Sequence, residues 1–344
     1  MKKNSACLLF ICSTIAFFSA FVQPSFASSK GRSEKIYLWD GIPKMETQKR
    51  DTILHVFPPS KKNEGDTKNV PAVIICPGGS YHHLGMKHEG FDTARWFASK
   101  GFLAFVLQYR VAYNAHHFPD QLADFQRAIF YIRKNHEKFG IDKNRIGAIG
   151  FSAGGHLVTM AAEFAERNQL NLLGIKEIET NENLRPDFVM PIYPVVSMQD
   201  DIAHKWSRKS LLGHQYSVSF DEKNFISNQF SIPTASKKFS LFNIRGFKYS
   251  EEIKSAFSME NPKNVPSDMP PVFLLACEDD PVVLYENSVR LEKTLSECGV
   301  NHVFVNFPKG GHGFGMNPKS YAIKTYAWNE KNLLPWLVEI GVLK

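Results

Sequence analysis

A chain of 344 residues with 43% hydrophobic and 13% aromatic residues can bury a large core, in one big domain or two modest ones, and this excludes a disordered chain. Its formal charge of +7 is spread over scattered lysines with no basic stripe interleaved with aromatics, which argues against a nucleic-acid surface.

The chain opens on Lys2 and Lys3, an apolar run from Ala6 to Val22 and the small-residue step Ser25-Phe26-Ala27. That is the anatomy of an export signal cleaved after Ala27, and the run is shorter than the roughly 20 residues a bilayer span needs. Residues 1–27 are therefore expected to be removed, leaving residues 28–344 exported, periplasmic or secreted, with no stable membrane insertion. Cleavage takes two lysines and lowers the formal charge from +7 to +5. It also removes Cys7 and Cys12 and leaves Cys76, Cys277 and Cys298. An odd set is no full disulfide framework, and Cys76 and Cys277, at the ends of apolar runs, suit buried free thiols.

Short apolar runs follow in order: KIYLW, ILHVF, AVIIC, LAFVLQY, RIGAIG, DFVMPIY, VFLLAC and HVFVNF. They predict eight strands, several apolar on consecutive residues as strands buried on both faces must be. The first two suit an antiparallel hairpin. From the third strand on, helical patterns fall between most strands: Phe91 to Lys100, Asp120 to Lys138 closed by Gly140, Ala153 to Glu166, Leu284 to Cys298 and Lys319 to Ile340. This alternation predicts an α/β architecture with a mostly parallel eight-stranded sheet and helices on both faces. Residues 197–265 break the rhythm, being rich in Lys, Ser, Asn and Phe, and are expected to form an insertion or lid over the active-site edge of the sheet.

The pentapeptide Gly150-Phe151-Ser152-Ala153-Gly154 is weak evidence alone. Here it sits directly after a strand and directly before a helix, the context in which a sharp turn lifts a serine oxygen above the sheet. A serine hydroxyl at neutral pH needs a histidine to take its proton and an acid to orient that histidine. His312, in the glycine-rich loop KGGHGFG after the last strand, is the candidate base. The acid belongs between the two in chain order, and Glu278-Asp279-Asp280-Pro281 ends the strand VFLLAC. Asp280 is the first choice and Asp279 the reserve. His156, four residues past the serine on a helix, reads as packing.

After AVIIC comes Pro77-Gly78-Gly79-Ser80-Tyr81, a turn able to aim the N–H groups of Gly79 and Ser80, with that of Ala153, at an oxyanion. Tyr81, His82 and His83 then form a polar rim, the candidate substrate contacts. The spacing of His82, His83, His88, Glu89, His116 and His117 fits no closed ligand pattern. Neither a metal nor a cofactor is expected.

With CPGGSY, NRIGAIGFSAGGHL, PPVFLLACEDDPVVLYENSVRL and FPKGGHGFG, the chain resembles the α/β-hydrolase superfamily, and within it bacterial secreted esterases of the acetylxylan and feruloyl esterase kind. The resemblance implies an α/β-hydrolase catalytic domain over residues 28–344, with Ser152 as nucleophile, His312 as base and Asp280 as acid. It implies hydrolysis of short-acyl carboxylic esters on a small molecule or oligosaccharide. Pro77 and Ser80 depart from the HGGG common among relatives. The rival readings are a general carboxylesterase or lipase, with Phe225, Phe230, Phe239, Phe242 and Phe247 as an apolar lid, a serine exopeptidase-like hydrolase, and a binding module that has lost catalysis.

Overall fold

The eight apolar runs become eight strands of one sheet: β1 (Glu34–Tyr37), β2 (Ile53–Phe57), β3 (Val70–Cys76), β4 (Leu103–Gln108), β5 (Ile141–Phe151), β6 (Val189–Ile192), β7 (Val272–Cys277) and β8 (His302–Phe307). The computed structural model describes residues 33–60, 69–213 and 248–344. The expected export signal and the five lid phenylalanines lie outside the described residues. Spatial order is β1-β2-β4-β3-β5-β6-β7-β8. β2 pairs antiparallel with both β1 and β4, and every later pairing is parallel. This is the α/β-hydrolase fold with its opening hairpin, as the sequence predicts.

The continuous apolar runs are explained by two cores, one on each face. Along β3, Ala72, Ile74 and Cys76 enter one core, while Val73 and Ile75 enter the other; successive side chains of a strand point to opposite faces, so a strand covered on both sides has no polar position. The first core is covered by α2 (Asp120–Lys134), α4 (Ala153–Glu163) and α8 (Glu286–Glu297), the second by α1 (Asp92–Ser99) and the C-terminal helices. The remaining α-helices among the described residues are α3 (His136–Phe139), α5 (Gln169–Leu172), α6 (Lys205–Leu212), α7 (Glu251–Ala256), α9 (Tyr321–Tyr326) and α10 (Leu334–Glu339).

Two helical expectations need correction. The pattern from Asp120 to Lys138 divides at Asn135, whose side-chain amide bonds the Tyr131 carbonyl at 2.8 Å and so caps α2 before α3 begins. The pattern from Lys319 to Ile340 divides at Ala327, which turns left-handed with φ 48°. Pro335 has no N–H to continue a ladder, and a π-helical turn, Asn329–Leu333, precedes it and runs straight into α10. Breaking the helix lets Trp328 enter the second core completely buried. Cys76, Cys277 and Cys298 are free thiols, the first two buried.

The described flanks of residues 197–265 are anchored. Leu211 and Leu212 on one side and Ile253, Phe257 and Met259 on the other join the first core, and Ser250 caps α7 by accepting from the Ile253 N–H. Among the described residues, no helix is long and apolar enough to cross a membrane.

Candidate active site

β5 ends at Phe151 and α4 begins at Ala153, so Ser152 alone makes the turn. Its φ of 53° and ψ of −119° lie where an L-residue is strained. The neighbouring strand holds it there: Ser152 N–H donates to the Ile192 carbonyl at 3.0 Å, and Val195 N–H donates to the Ser152 carbonyl at 3.1 Å. A Cβ on Gly154 would stand 2.1 Å from the Cys76 carbonyl oxygen. Only glycine lets α4 press this close to the end of β3.

His312 Nε2 lies 2.9 Å from Ser152 Oγ, and His312 Nδ1 lies 2.6 Å from Asp280 Oδ2. A carboxylate only accepts, so Nδ1 carries the proton and Nε2 is left to accept from the serine hydroxyl. Asp280 is buried, and its other oxygen accepts from the N–H groups of Val282 at 2.8 Å and Val283 at 3.0 Å. Asp279 faces elsewhere: its Oδ1 accepts from Gly310 N–H at 2.9 Å and Gly311 N–H at 2.8 Å, tying down the loop that carries His312.

The turn after β3 adopts left-handed backbone at three successive residues, Gly79 (φ 129°), Ser80 (φ 59°) and Tyr81 (φ 57°). A Cβ on Gly79 would stand 2.1 Å from the His83 carbonyl oxygen. Gly79 and Ser80 line a cavity of about 430 Å³ together with Ser152, His312, His83, Met86 and Val282. The Ala153 N–H, at the first turn of α4, has no intrahelical acceptor and carries the positive end of that helix's dipole.

The expectation of Tyr81 as a rim residue is overturned. Its ring is completely buried, and its hydroxyl lies 2.8 Å from His156 Nδ1, whose Nε2 lies 2.9 Å from the Phe257 carbonyl. The left-handed φ turns this side chain inward, where a buried imidazole partners its hydroxyl. Burial lowers the His156 pKa to about 4, so the ring is neutral, accepts from Tyr81 and donates to Phe257. His82 and His83 do stay at the surface, half-buried and exposed.

Sequence reasoning treated Glu89 only as a failed metal ligand and Tyr193 only as the end of a strand. The Glu89 carboxylate, buried beneath the cavity, accepts from the Gly78 N–H at 2.9 Å with one oxygen and from the Tyr193 hydroxyl at 2.8 Å with the other. That hydroxyl in turn accepts from the Gly315 N–H at 2.9 Å, and the Tyr193 ring packs 4.7 Å from the His312 ring. One carboxylate thus braces the glycine turn and the histidine loop against each other. Burial pushes its pKa up, opposed by the hydrogen bonds from Tyr193 and Gly78. The signal was present in the strand order, since Tyr193 directly follows β6, the strand beside the serine's own.

Among the described residues, no group of three His, Cys, Asp or Glu side chains is arranged to hold a metal ion. His88 pairs with Asp92 at 2.7 Å and His116 with Asp120 at 2.6 Å.

The chain is 25% identical over 246 residues to an acetylxylan esterase of Xylanibacter ruminicola, covering 71% of this chain and 41% of that protein. It is 30% identical over 243 residues to endo-1,4-beta-xylanase B of Butyrivibrio fibrisolvens, covering 70% and 32%. The chain thus spans less than half the length of these curated relatives. Among solved structures it is similar to the acetyl ester-xyloside bifunctional hydrolase of Caldicellulosiruptor lactoaceticus, with 28% identity, a TM-score of 0.67, and 91% of this chain and 98% of that one covered. The BD-FAE family model matches residues 56–295, more than half of the sequence, and the chain belongs to the BD-FAE family.

Proposed function

We propose that the protein is a serine esterase that hydrolyses short-acyl esters carried by carbohydrates through an acyl-enzyme. The observation that carries this reading is the continuous hydrogen-bonded line from Ser152 through His312 to Asp280, opening on a cavity bounded by Gly79 and Ser80. Ser152 Oγ attacks the ester carbonyl as its proton moves to His312 Nε2. The carbonyl oxygen becomes an oxyanion facing the N–H groups of Gly79, Ser80 and Ala153, and Asp280 stabilises the imidazolium. Collapse expels the alcohol, which takes the proton from Nε2. Water activated by the same nitrogen then attacks the acyl-serine and frees the acid.

The sugar-ester part rests on the relatives whose names concern acetylxylan and xylosides, and on a cavity whose lining includes the histidines His83 and His88 beside His312. Across acyl lengths from two to twelve carbons, kcat/KM is expected to be greatest at the short end, with hydrolysis of acetylated xylan oligomers. A steady rise toward twelve carbons with no activity on those oligomers would establish a lipase instead. The same reading takes residues 1–27 as an export signal, which mass measurement of the secreted N-terminus tests.

The brace beneath the cavity gives a second expectation. Glu89→Ala takes the acceptor away from both the Gly78 N–H and the Tyr193 hydroxyl proton and frees both loops. A misplacement on the order of an ångström costs about 10²-fold, read as a fall in kcat with KM changed far less. Glu89→Gln, whose carboxamide oxygen still accepts from one partner, is expected to recover part of the loss. Equal kcat for Glu89→Ala and the parent would remove the brace from catalysis.

A further inference from the structure

Beside the catalytic cavity lies an aromatic surface that catalysis does not use. Trp206, near the start of α6, is 51% exposed, and Tyr113 is 71% exposed. The His82 ring joins them in T-shaped contacts, 5.5 Å from the Trp206 ring and 5.7 Å from the Tyr113 ring. Large aromatics are normally hidden, and three rings held together in solvent are an uncommon use of surface.

The surface is continuous with the site through His83. His82 contacts the His83 ring at 6.1 Å, and His83 lines the cavity. The backbone supports this edge: Ala112 N–H donates to the Tyr81 carbonyl at 2.8 Å and Tyr113 N–H to the His82 carbonyl at 3.3 Å, so the Tyr113 loop rides on the glycine turn. His204 caps α6 two residues before Trp206. Burial lowers the His204 pKa, with His312 adding to the fall and Asp280 opposing it.

That placement selects which part of the ester would lie there. The leaving alcohol must take its proton from His312 Nε2, so the alcohol portion extends on the His312 side of Ser152, in the cavity that His312 and His83 line together. Pyranose rings present flat C–H faces ringed by hydroxyls. Aromatic faces suit the former, and the Trp206 indole N–H and Tyr113 hydroxyl at the ring edges suit the latter. We infer that Trp206, Tyr113 and His82 form a glycosyl subsite that binds the sugar bearing the ester, on its alcohol side. Burial and the neighbouring His83 lower the His82 pKa, which keeps this ring uncharged in neutral solution and fit for an apolar contact.

The inference rests on the sugar-ester reading, and the experiment separates the two. Unacetylated xylotetraose is tested as a competitive inhibitor of p-nitrophenyl acetate hydrolysis, alongside kcat/KM for acetylated xylotetraose, p-nitrophenyl acetate and methyl ferulate. The parent is expected to be inhibited. In the double variant Trp206→Ala/Tyr113→Ala, Ki should rise and the ratio of kcat/KM on acetylated xylotetraose to that on p-nitrophenyl acetate should fall, each by about 10-fold or more. Trp206→Phe, which keeps a ring, should retain most of the inhibition and so separates lost stacking from lost folding. Unchanged Ki and ratio in the double variant would overturn the subsite. A loss confined to methyl ferulate would overturn it too, by assigning the rings to an aromatic acyl group. A parent that is inhibited by xylotetraose yet cleaves no acetylated sugar would keep the subsite and refute the sugar-ester reading. A parent that is not inhibited would refute the subsite whatever esters it cleaves.

Discussion

Ser152→Ala is expected to lower kcat by about 10⁶-fold and to abolish labelling by a fluorophosphonate probe, with the fold unchanged. The fold should survive because what holds residue 152 is backbone: its N–H bonds Ile192 and its carbonyl receives Val195. Alanine keeps both bonds and removes only the oxygen whose one side-chain partner is His312. The strained φ of 53° is equally unwelcome to either residue, so no relief of strain is expected beyond that of losing the hydroxyl. Residual turnover is expected to come from the N–H groups of the glycine turn and α4, which still polarise a bound carbonyl. Thermal unfolding, probe labelling and burst kinetics with p-nitrophenyl acetate measure the three parts separately. Labelling of the alanine variant as strong as that of the parent would take the nucleophile away from residue 152.

The fold was legible because its pattern is simple. A parallel sheet covered on both faces leaves its inner strands no solvent side, so they appear as apolar runs whatever the intervening loops do, while the edge strands β1 and β8 stay partly exposed. The serine, too, could be read, since a Gly-x-Ser-x-Gly between a strand and a helix states its own geometry. What could not be read were features set by tertiary contact. Tyr81 looks like a rim residue because its neighbours in sequence are polar, yet a left-handed φ aims it at His156, 75 residues away. Glu89 and Tyr193 are separated by 104 residues, and nothing local to either tells that they share a hydrogen bond beneath the cavity. The long C-terminal pattern hid its break at Ala327 because periodicity records which residues are buried and not whether the backbone between them stays helical. Trp206 lies on α6 and Tyr113 on the loop that rides on the glycine turn, and their pairing through His82 is a property of the folded edge alone.

Asp280→Asn is expected to cost about 10⁴-fold in kcat, and Asp279→Asn only a few-fold, though the two are adjacent and chemically alike. The difference follows from where each oxygen is held. In Asp280, Oδ1 accepts from Val282 and Val283 while Oδ2 faces His312 Nδ1. In the asparagine the carboxamide oxygen keeps the two N–H donors, so the NH₂ group takes the place of Oδ2 and presents donors to Nδ1. The imidazole must then accept at Nδ1, which moves its proton to Nε2, the atom that has to accept from Ser152. The side chain is the same size and the loop stays put, but the histidine holds the wrong tautomer and the imidazolium formed on attack loses its counter-charge. In Asp279 a single oxygen accepts from both Gly310 and Gly311, and the oxygen of asparagine can do the same with no donor facing the histidine. Removing that oxygen as well, in Asp279→Ala, is expected to loosen the loop and cost about ten times more than the amide, because two N–H groups lose their acceptor. Single-turnover acylation rates measured at saturating p-nitrophenyl acetate give the comparison directly. A greater loss in Asp279→Asn than in Asp280→Asn would pass the role of the triad acid to Asp279.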